Sequence, residues 1–290
     1  MQNSFYSNTE LIGLIGYPIK QSFSPFIHNV AAELTGTKLI YLPFEVHSDN
    51  LKDAVKGVLA LGLRGFNVTV PHKVKVVDYI HKLSEEAAVI GSVNTVVNEL
   101  GKLIGYNTDV NGILESLSPY KSQINGNEVC VLGAGGSARA VIYTLIRNYK
   151  PSKIILINRT EQYAETLKQH FKSKMKFDGI VTKELQQPDL IGLLNNCSLI
   201  VNCTSVGMYP AADDSIFTNA DMFVKDQIVF DLVYNPVKTK FLQLAESKNA
   251  VTVNGLNMLV QQASKSFTLW TGKEFPTEKV YKSLLLYVTK

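Results

Sequence analysis

The chain of 290 residues is long enough for two domains with separate cores, and its 46% hydrophobic and 19% charged content is that of an ordinary soluble globular protein. A net charge of +4, with no run of Lys and Arg interleaved with aromatics, argues against a nucleic-acid partner and leaves a mild bias toward anionic ligands, and no segment approaches a membrane span. The three cysteines, Cys130, Cys197 and Cys203, are odd in number and lack C-x-x-C spacing, which fits a reducing cytoplasm; two of them fall where buried strands are expected.

In chain order, residues 11–15 read as a strand too short for a targeting segment, ending at Gly16-Tyr17-Pro18. A helix is expected over 25–34, with Pro25 at its first position and Ser24 as N-cap. Ser22 and Ser24 together place two hydroxyls at a helix N-terminus, which can equally cradle a carboxylate. A strand over 40–44 and a helix over 51–61 follow, then G-F-N-V-T-V-P-H-K at 65–73. This stretch predicts a strand over 65–70 with Asn67 and Thr69 on one face, and a helix over 72–81 opened by Pro71. Lys73 would then lie in the first helical turn. A cation there opposes the macrodipole at a few tenths to about 1 kcal/mol, and the same field favours release of its proton near neutral pH. A strand pair over 92–98 and 103–106 contains Asn94, an amide that must find partners if buried. Asp109 opens a helix over 109–117, either as its first-turn acid, capped by Asn107 or Thr108, or as the carboxylate partner of Lys73. Ser118-Pro119 breaks that helix, and 123–127 forms a polar link.

The second half is organised by residues 128–140, E-V-C-V-L-G-A-G-G-S-A-R-A. An apolar strand runs into Gly133, Gly135 and Ala138 at G-x-G-x-x-[GA] spacing, and Ala138, Val141, Ile142, Leu145 and Ile146 then show helical periodicity. Glycines at a strand-to-helix turn let the backbone approach a pyrophosphate, which the free N–H groups of the helix start can bind. The next strand, 153–158, ends in Asn158, Arg159 and Thr160, with no carboxylate to repel a ribose 2′-phosphate and an arginine fork suited to gripping one. NADP is therefore favoured over NAD. Strands over 198–202, 228–232 and 251–254 continue this sheet, and helices over 256–271 and 277–288 have no strand after them. The expected architecture is α/β in two domains. An N-terminal α/β substrate domain covers 1–112 and receives the helices of 256–290, and a Rossmann-like doubly wound parallel sheet covers 113–255.

Taken together these motifs resemble the shikimate dehydrogenase family. The resemblance rests on S-F-S-P with His28-Asn29, on G-F-N-V-T-V-P-H-K, on V-N-T at 93–95, and on G-Y-N-T-D at 105–109. It continues through G-A-G-G-S-A-R-A, N-R-T, N-C-T-S-V-G-M at 202–208, D-L-V-Y-N-P at 231–236 and G-L-N-M-L-V-Q-Q at 255–262. It implies reduction of 3-dehydroshikimate to shikimate with NADP, in aromatic amino-acid biosynthesis. By similarity Lys73 and Asp109 are the catalytic pair. Ser22 and Ser24 bind the substrate carboxylate, while Asn67, Thr69, Asn94, Asp109 and Gln262 contact ring hydroxyls and the reacting region, and Tyr234 approaches the same pocket. Gly133, Ala134, Gly135, Gly136, Ser137 and Ala138 hold the pyrophosphate, and Asn158, Arg159 and Thr160 the 2′-phosphate. Thr204, Val206 and Met208 lie by the ribose and nicotinamide, with Gly255 and Met258 near the nicotinamide ring.

The implied chemistry is hydride transfer to the ketone carbon with Lys73 as proton donor. The ammonium takes the polarising role that a metal has elsewhere, and the histidines show no pair at ligand spacing. One departure from the family pattern stands out: Glu161, Gln162 and Tyr163 follow N-R-T where many NADP-specific relatives carry a second basic residue. That leaves NAD open as a secondary cofactor, and quinate as a second substrate. A non-catalytic shikimate sensor would be expected to lack Lys73 or Asp109, and S-F-S-P with N-T-D argues against a folate-linked dehydrogenase. The resemblance leaves a homodimer open.

Overall fold

The computed structural model describes residues 8–186 and 190–289. The chain divides into two units, one running to Thr108 and resuming at Val260, the other spanning Asp109–Leu259.

The first unit is built on β1 (Glu10–Gly16), α1 (Ser24–Thr35), β2 (Leu39–Glu45), α2 (Leu51–Ala60), β3 (Gly65–Val68), β4 (Lys82–Leu83), α3 (Glu85–Ile90), β5 (Thr95–Glu99) and β6 (Lys102–Tyr106). Its strands lie in the order β2-β1-β3-β5-β6-β4. β1 runs parallel to β2 and β3, whereas β5 is antiparallel to both β3 and β6. The carboxyl ends of β1, β3 and β6 and the amino end of β5 therefore meet at one edge of the sheet, and the loops that leave there can share a site. Both faces of the sheet are covered. Leu51, Val55 and Val58 of α2 pack with Phe66, Val68, Val96 and Leu103 on one side, and Trp270 packs with Ile12, Leu14, Tyr41 and Val97 on the other. Burial on two faces is why these strands read as apolar runs rather than a clean alternation.

The second unit contains α4 (Asp109–Leu117), α5 (Lys121–Ile124), β7 (Glu128–Leu132), α6 (Gly136–Thr144), β8 (Lys153–Asn158), α7 (Glu161–Met175), β9 (Ile180–Glu184), α8 (Leu190–Asn195), β10 (Leu199–Asn202), β11 (Ile228–Asp231), α9 (Lys240–Ser247) and β12 (Val251–Val253). The sheet order is β12-β11-β10-β7-β8-β9, and every pairing is parallel. Successive strands build outward from β7 through β8 and β9, then restart on its other side with β10, so the order reverses between β7 and β10. In doubly wound sheets ligands bind outside the carboxyl ends of the strands at such a reversal. The strands are buried as continuous runs, and Phe217, Phe223 and Phe241 pack against one another in the core that covers one face. Two helices close the chain, α10 (Gly255–Thr271) and α11 (Thr277–Val288). Val260 onward belongs to the first unit, where Trp270 Nε1 donates to Val96 O at 2.9 Å.

Several local expectations differ from the structure. No α-helix spans 72–81: a turn through Pro71–Val74 leads into a 3₁₀ stretch at Lys75–Tyr79. The carbonyl of Lys73 accepts from Val93 N at 2.8 Å rather than from a following helical turn, and Val74, Val76 and Val77 are poor helix formers. Lys73 thus stands in no α-helical turn, and the macrodipole expected to act on it is missing. β3 ends at Val68, so Thr69 lies just beyond it, and Asn94 precedes β5 rather than interrupting it. Ser24 is the first residue of α1 and Phe23 its N-cap; the Ser22 hydroxyl accepts from Ser24 N at 3.2 Å instead. Only Cys130 lies within a strand; Cys197 precedes β10 and Cys203 follows it. The units divide at 108/109 and 259/260, where the sequence suggested 112/113 and 255/256. The first shift has a cause in α4, which keeps Val110, Ile113 and Leu117 buried as one face and so belongs as a whole to the second unit.

Phe66 is fully buried in the first unit, and that unit also holds the chain's single tryptophan, Trp270. Phe66→Ala is expected to destabilise this unit by about 3–5 kcal/mol, read as a lowered urea midpoint in Trp270 fluorescence. An unchanged midpoint would contradict this packing.

Candidate active site

In the first unit the loops at the shared sheet edge carry most of the polar residues that the sequence motifs contain. Ser22 and Ser24 follow β1, Thr69 and Lys73 follow β3, Asn94 precedes β5, and Asn107 and Thr108 follow β6. Ser24 is buried, while Ser22, Thr69 and Lys73 are half-buried. Lys73 is held beside Asn94 by the Val93 N to Lys73 O bond.

Behind these loops lies a buried hydrogen-bond network. Asn94 Oδ1 accepts from Thr108 N at 2.7 Å, and its Nδ2 donates to Thr108 Oγ1 at 2.9 Å and Gln262 Oε1 at 3.3 Å. Asn67 Nδ2 donates to Asn94 O and Thr95 Oγ1, both at 2.9 Å, and Asn67 Oδ1 accepts from the Tyr41 hydroxyl at 2.7 Å. Ser266 Oγ closes the network with Thr95 Oγ1 at 2.8 Å and Thr108 Oγ1 at 3.0 Å. Three of the expected substrate residues, Asn67, Asn94 and Gln262, are thereby brought together. Tyr41, Thr95, Thr108 and Ser266 belong to the same network; pattern reading gave none of them a substrate role, because a lone hydroxyl in a strand, loop or helix signals nothing by itself.

His28 lies beneath this network, fully buried, its ring stacked on Tyr41 with centroids 4.4 Å apart and edge-on to Trp270 at 5.3 Å. Neither ring nitrogen has a hydrogen-bond partner among the described residues, and burial lowers its pKa to about 3. It is neutral at neutral pH.

In the second unit the fingerprint glycines form the turn from β7 into α6. Gly133 has φ +98°, open to glycine but strained for other residues, and a Cβ there would stand 2.9 Å from Thr204 Cγ2. Gly135 is the N-cap of α6 and makes no side-chain cap; apart from its own chain neighbours, no atom of the described residues lies within 4 Å of where its Cβ would be. The turn therefore leaves open space beside the start of α6, which fits a pyrophosphate. Ala134, Gly136 and Ser137 surround the same turn, and Ala138 is buried beneath it. At the end of β8, Asn158 Nδ2 donates to Thr160 O at 2.8 Å, and Arg159 and Thr160 are exposed. Thr204, Val206 and Met208 occupy the loop after β10, at the strand-order reversal, with Val206 exposed and the other two half-buried. Tyr234 is half-buried after β11; Gly255 and Met258 are buried in the first turns of α10. Asp109 is buried as the first residue of α4.

The second unit also contains a buried acid that in the sequence stands out only as the first letter of D-L-V-Y-N-P. Asp231, fully buried at the end of β11, accepts from Thr239 Oγ1 at 2.6 Å, Asn202 Nδ2 at 2.9 Å and Val233 N at 3.0 Å. Burial raises its pKa to about 6, against the lowering effect of those three donors. The thiols of Cys130 and Cys197 are also pushed up by burial, the latter to about 12, which makes them poor nucleophiles.

His28 and Asp231 give opposite pH signatures. Between pH 6.5 and about 3 an unfolded His28 binds a proton that the folded one refuses, so stability falls as pH falls, by about 1.4 kcal/mol per pH unit for one proton. Between pH 3.8 and about 6 the folded Asp231 keeps a proton that the unfolded one has lost, so its contribution falls as pH rises. His28→Phe is expected to flatten the acid limb of the first unit's stability between about pH 6.5 and 4.5, followed by urea titration of Trp270 fluorescence. A limb as steep as the wild type's would remove His28 as its source.

Comparison with known proteins accords with this geometry. Residues 14–96 match the shikimate dehydrogenase substrate binding domain, 116–256 the shikimate / quinate 5-dehydrogenase family, and 255–285 the shikimate 5'-dehydrogenase C-terminal domain. The shikimate dehydrogenase (NADP(+)) of Caldanaerobacter subterraneus is 43% identical over 280 residues, 96% of this chain and 97% of that protein. A shikimate dehydrogenase solved in complex with NADP+ aligns with TM-score 0.90 and 37% identity, over 99% of this chain and 98% of that one. The quinate dehydrogenase from Corynebacterium glutamicum in complex with NAD aligns with TM-score 0.85 and 28% identity, over 96% and 99%. At this identity, over nearly its whole length, the chain belongs to the shikimate dehydrogenase family.

Proposed function

We propose that the chain catalyses the reversible, NADP-dependent reduction of 3-dehydroshikimate to shikimate in the cytoplasm. The observation that carries this reading is the 43% identity to an NADP-dependent shikimate dehydrogenase over 96% of the chain. The buried amide network and the bare glycine turn supply the two chemistries such a reaction needs, hydroxyl recognition and diphosphate binding.

Ser22 and Ser24 donate hydrogen bonds to the substrate carboxylate at the start of α1. Asn94 and Gln262, oriented by Thr108, present amide groups to ring hydroxyls, with Asn67 and Thr69 contributing in the same unit; Tyr234 is read as a further substrate contact. Bound NADPH supplies the hydride. Lys73 Nζ gives its proton to the carbonyl oxygen as negative charge grows there, and takes a proton back from the hydroxyl in the oxidation direction. Asp109 serves with it as the second member of the catalytic pair. Gly133, Gly135 and the N–H groups of α6 bind the diphosphate, and Arg159 grips the 2′-phosphate.

A second reading is a quinate/shikimate dehydrogenase that also accepts NAD. It is favoured by Glu161, Gln162 and Tyr163, which supply no second cation after Asn158-Arg159-Thr160. Initial rates with shikimate or quinate, each with NADP+ or NAD+, separate the two readings. The first expects turnover concentrated in the shikimate and NADP+ pairing.

Lys73→Ala is expected to lower kcat roughly 10²- to 10⁴-fold with a much smaller change in the KM for shikimate. Full turnover by that variant would take Lys73 out of the proton transfer.

A further inference from the structure

The most unusual buried group outside the proposed substrate site is Asp231. A carboxylate removed from water is a costly choice where an apolar residue would fill the same space, unless its acceptor character is needed. Here three donors converge on it: Asn202 Nδ2 and Val233 N on Oδ1, and Thr239 Oγ1 on Oδ2.

The partner that matters is Asn202, which stands directly across from Asp231 in the β10/β11 register. A side-chain amide can sit in either of two flipped orientations, but an ionised carboxylate accepts only. Asp231 therefore takes the Nδ2 end of Asn202 and turns the Asn202 Oδ1 the other way. There that Oδ1 accepts two hydrogen bonds from one residue, Thr204 N at 2.9 Å and Thr204 Oγ1 at 2.8 Å. Thr204 Oγ1 in turn accepts from Val206 N at 3.2 Å, and Thr204 Cγ2 abuts the glycine turn at Gly133. A continuous chain of contacts thus runs from Thr239, the N-cap of α9, through Asp231, Asn202 and Thr204 to the mouth of the fingerprint turn.

We propose that Asp231 is a positioning residue for cofactor binding: acting through Asn202, it sets the conformation of the 203–208 loop that carries Thr204, Val206 and Met208. The inference rests on the reading of those three residues as cofactor contacts. The device needs only an acceptor at Oδ1 of residue 231, so the amide introduced by Asp231→Asn preserves it. That amide would still accept from Asn202 and Val233 through its oxygen, while its NH₂ donates to the Thr239 hydroxyl, which can accept.

Isothermal titration calorimetry of NADP+ onto the full chain, with circular dichroism to confirm folding and steady-state kinetics alongside, tests this. Asp231→Ala and Asn202→Ala are each expected to weaken NADP+ binding about tenfold while the KM for shikimate moves less than about twofold. Asp231→Asn is expected to bind NADP+ within about twofold of wild type. Folded alanine variants that bind as tightly as wild type overturn the inference, as does an Asp231→Asn variant that loses as much affinity as Asp231→Ala. If Asp231→Ala does not fold, Asn202→Ala and Asp231→Asn decide by the same criteria. A wild type that turns over shikimate and binds NADP+, with the alanine variants unimpaired, sinks this inference alone; a wild type that binds no NADP+ sinks the cofactor reading with it.

Discussion

The first unit depends on the side chain of Asn94, a primary amide that ties together parts of the chain far apart in sequence. Its carbonyl oxygen fixes the backbone N–H of Thr108, and its NH₂ reaches Thr108 Oγ1 and Gln262 on α10. Its main-chain carbonyl accepts from both Val68 N and Asn67 Nδ2, which locks it to the end of β3. In a buried, low-dielectric setting each such bond is stronger than in water, and each broken one leaves a desolvated group without a partner. The network is therefore specified as a whole or not at all. The antiparallel placement of β5 between β3 and β6 is what allows it, because only that arrangement brings the amino end of one strand beside the carboxyl ends of two others.

The second unit solves a comparable problem with parallel strands alone. All its carboxyl ends point the same way, so its polar residues accumulate where strand order reverses, between Gly133 after β7 and Thr204 after β10. Both units bury a titratable group beneath their polar rim, with opposite consequences. His28 is held neutral among aromatic rings and contributes packing, whereas Asp231 is surrounded by donors and contributes orientation. The contrast follows from the neighbours: a buried ring packed against aromatic rings, with no hydrogen-bond partner among the described residues, loses its proton, and a carboxyl that meets three hydrogen-bond donors keeps a use for its charge even though burial raises its pKa.

Much of the fold was legible in the sequence because the signals were local and physical. The strand β8 and the helix α4 fall where apolar patterning put them, and the G-x-G-x-x-A turn announced the parallel sheet. What the sequence misplaced was decided by hydrogen bonds that patterning does not show. Proline followed by histidine and lysine looks like a helix start, yet the Lys73 carbonyl is taken by Val93, far along the chain. Ser24 looks like an N-cap, yet the chain enters α1 one residue earlier and Ser22 does part of that work. β4 and α3 escaped notice because a two-residue strand and a six-residue helix carry too few periods to register. The polar site was legible only in part. An amide such as Asn67 or Asn94 inside an apolar stretch is conspicuous, whereas Tyr41 and Thr95 are ordinary strand residues whose importance lies in what they touch.

Cofactor choice turns on a different kind of interaction from those that hold the fold. In the proposed reading the discriminating group at the end of β8 is Arg159, an exposed cation, beside Asn158, whose amide is occupied with the Thr160 carbonyl. Across the sheet in register with Asn158 stands Glu184, an exposed carboxylate at the end of β9. An exposed guanidinium attracts a 2′-phosphate through water-screened charge, which weakens as ionic strength rises, and a carboxylate on the neighbouring strand end opposes it. On that reading, preference for the phosphorylated cofactor is an electrostatic balance at the surface, adjustable by single charge changes without touching the core. The proposed diphosphate site at Gly133 and Gly135 is the reverse, since it is made of backbone at a strand-to-helix turn.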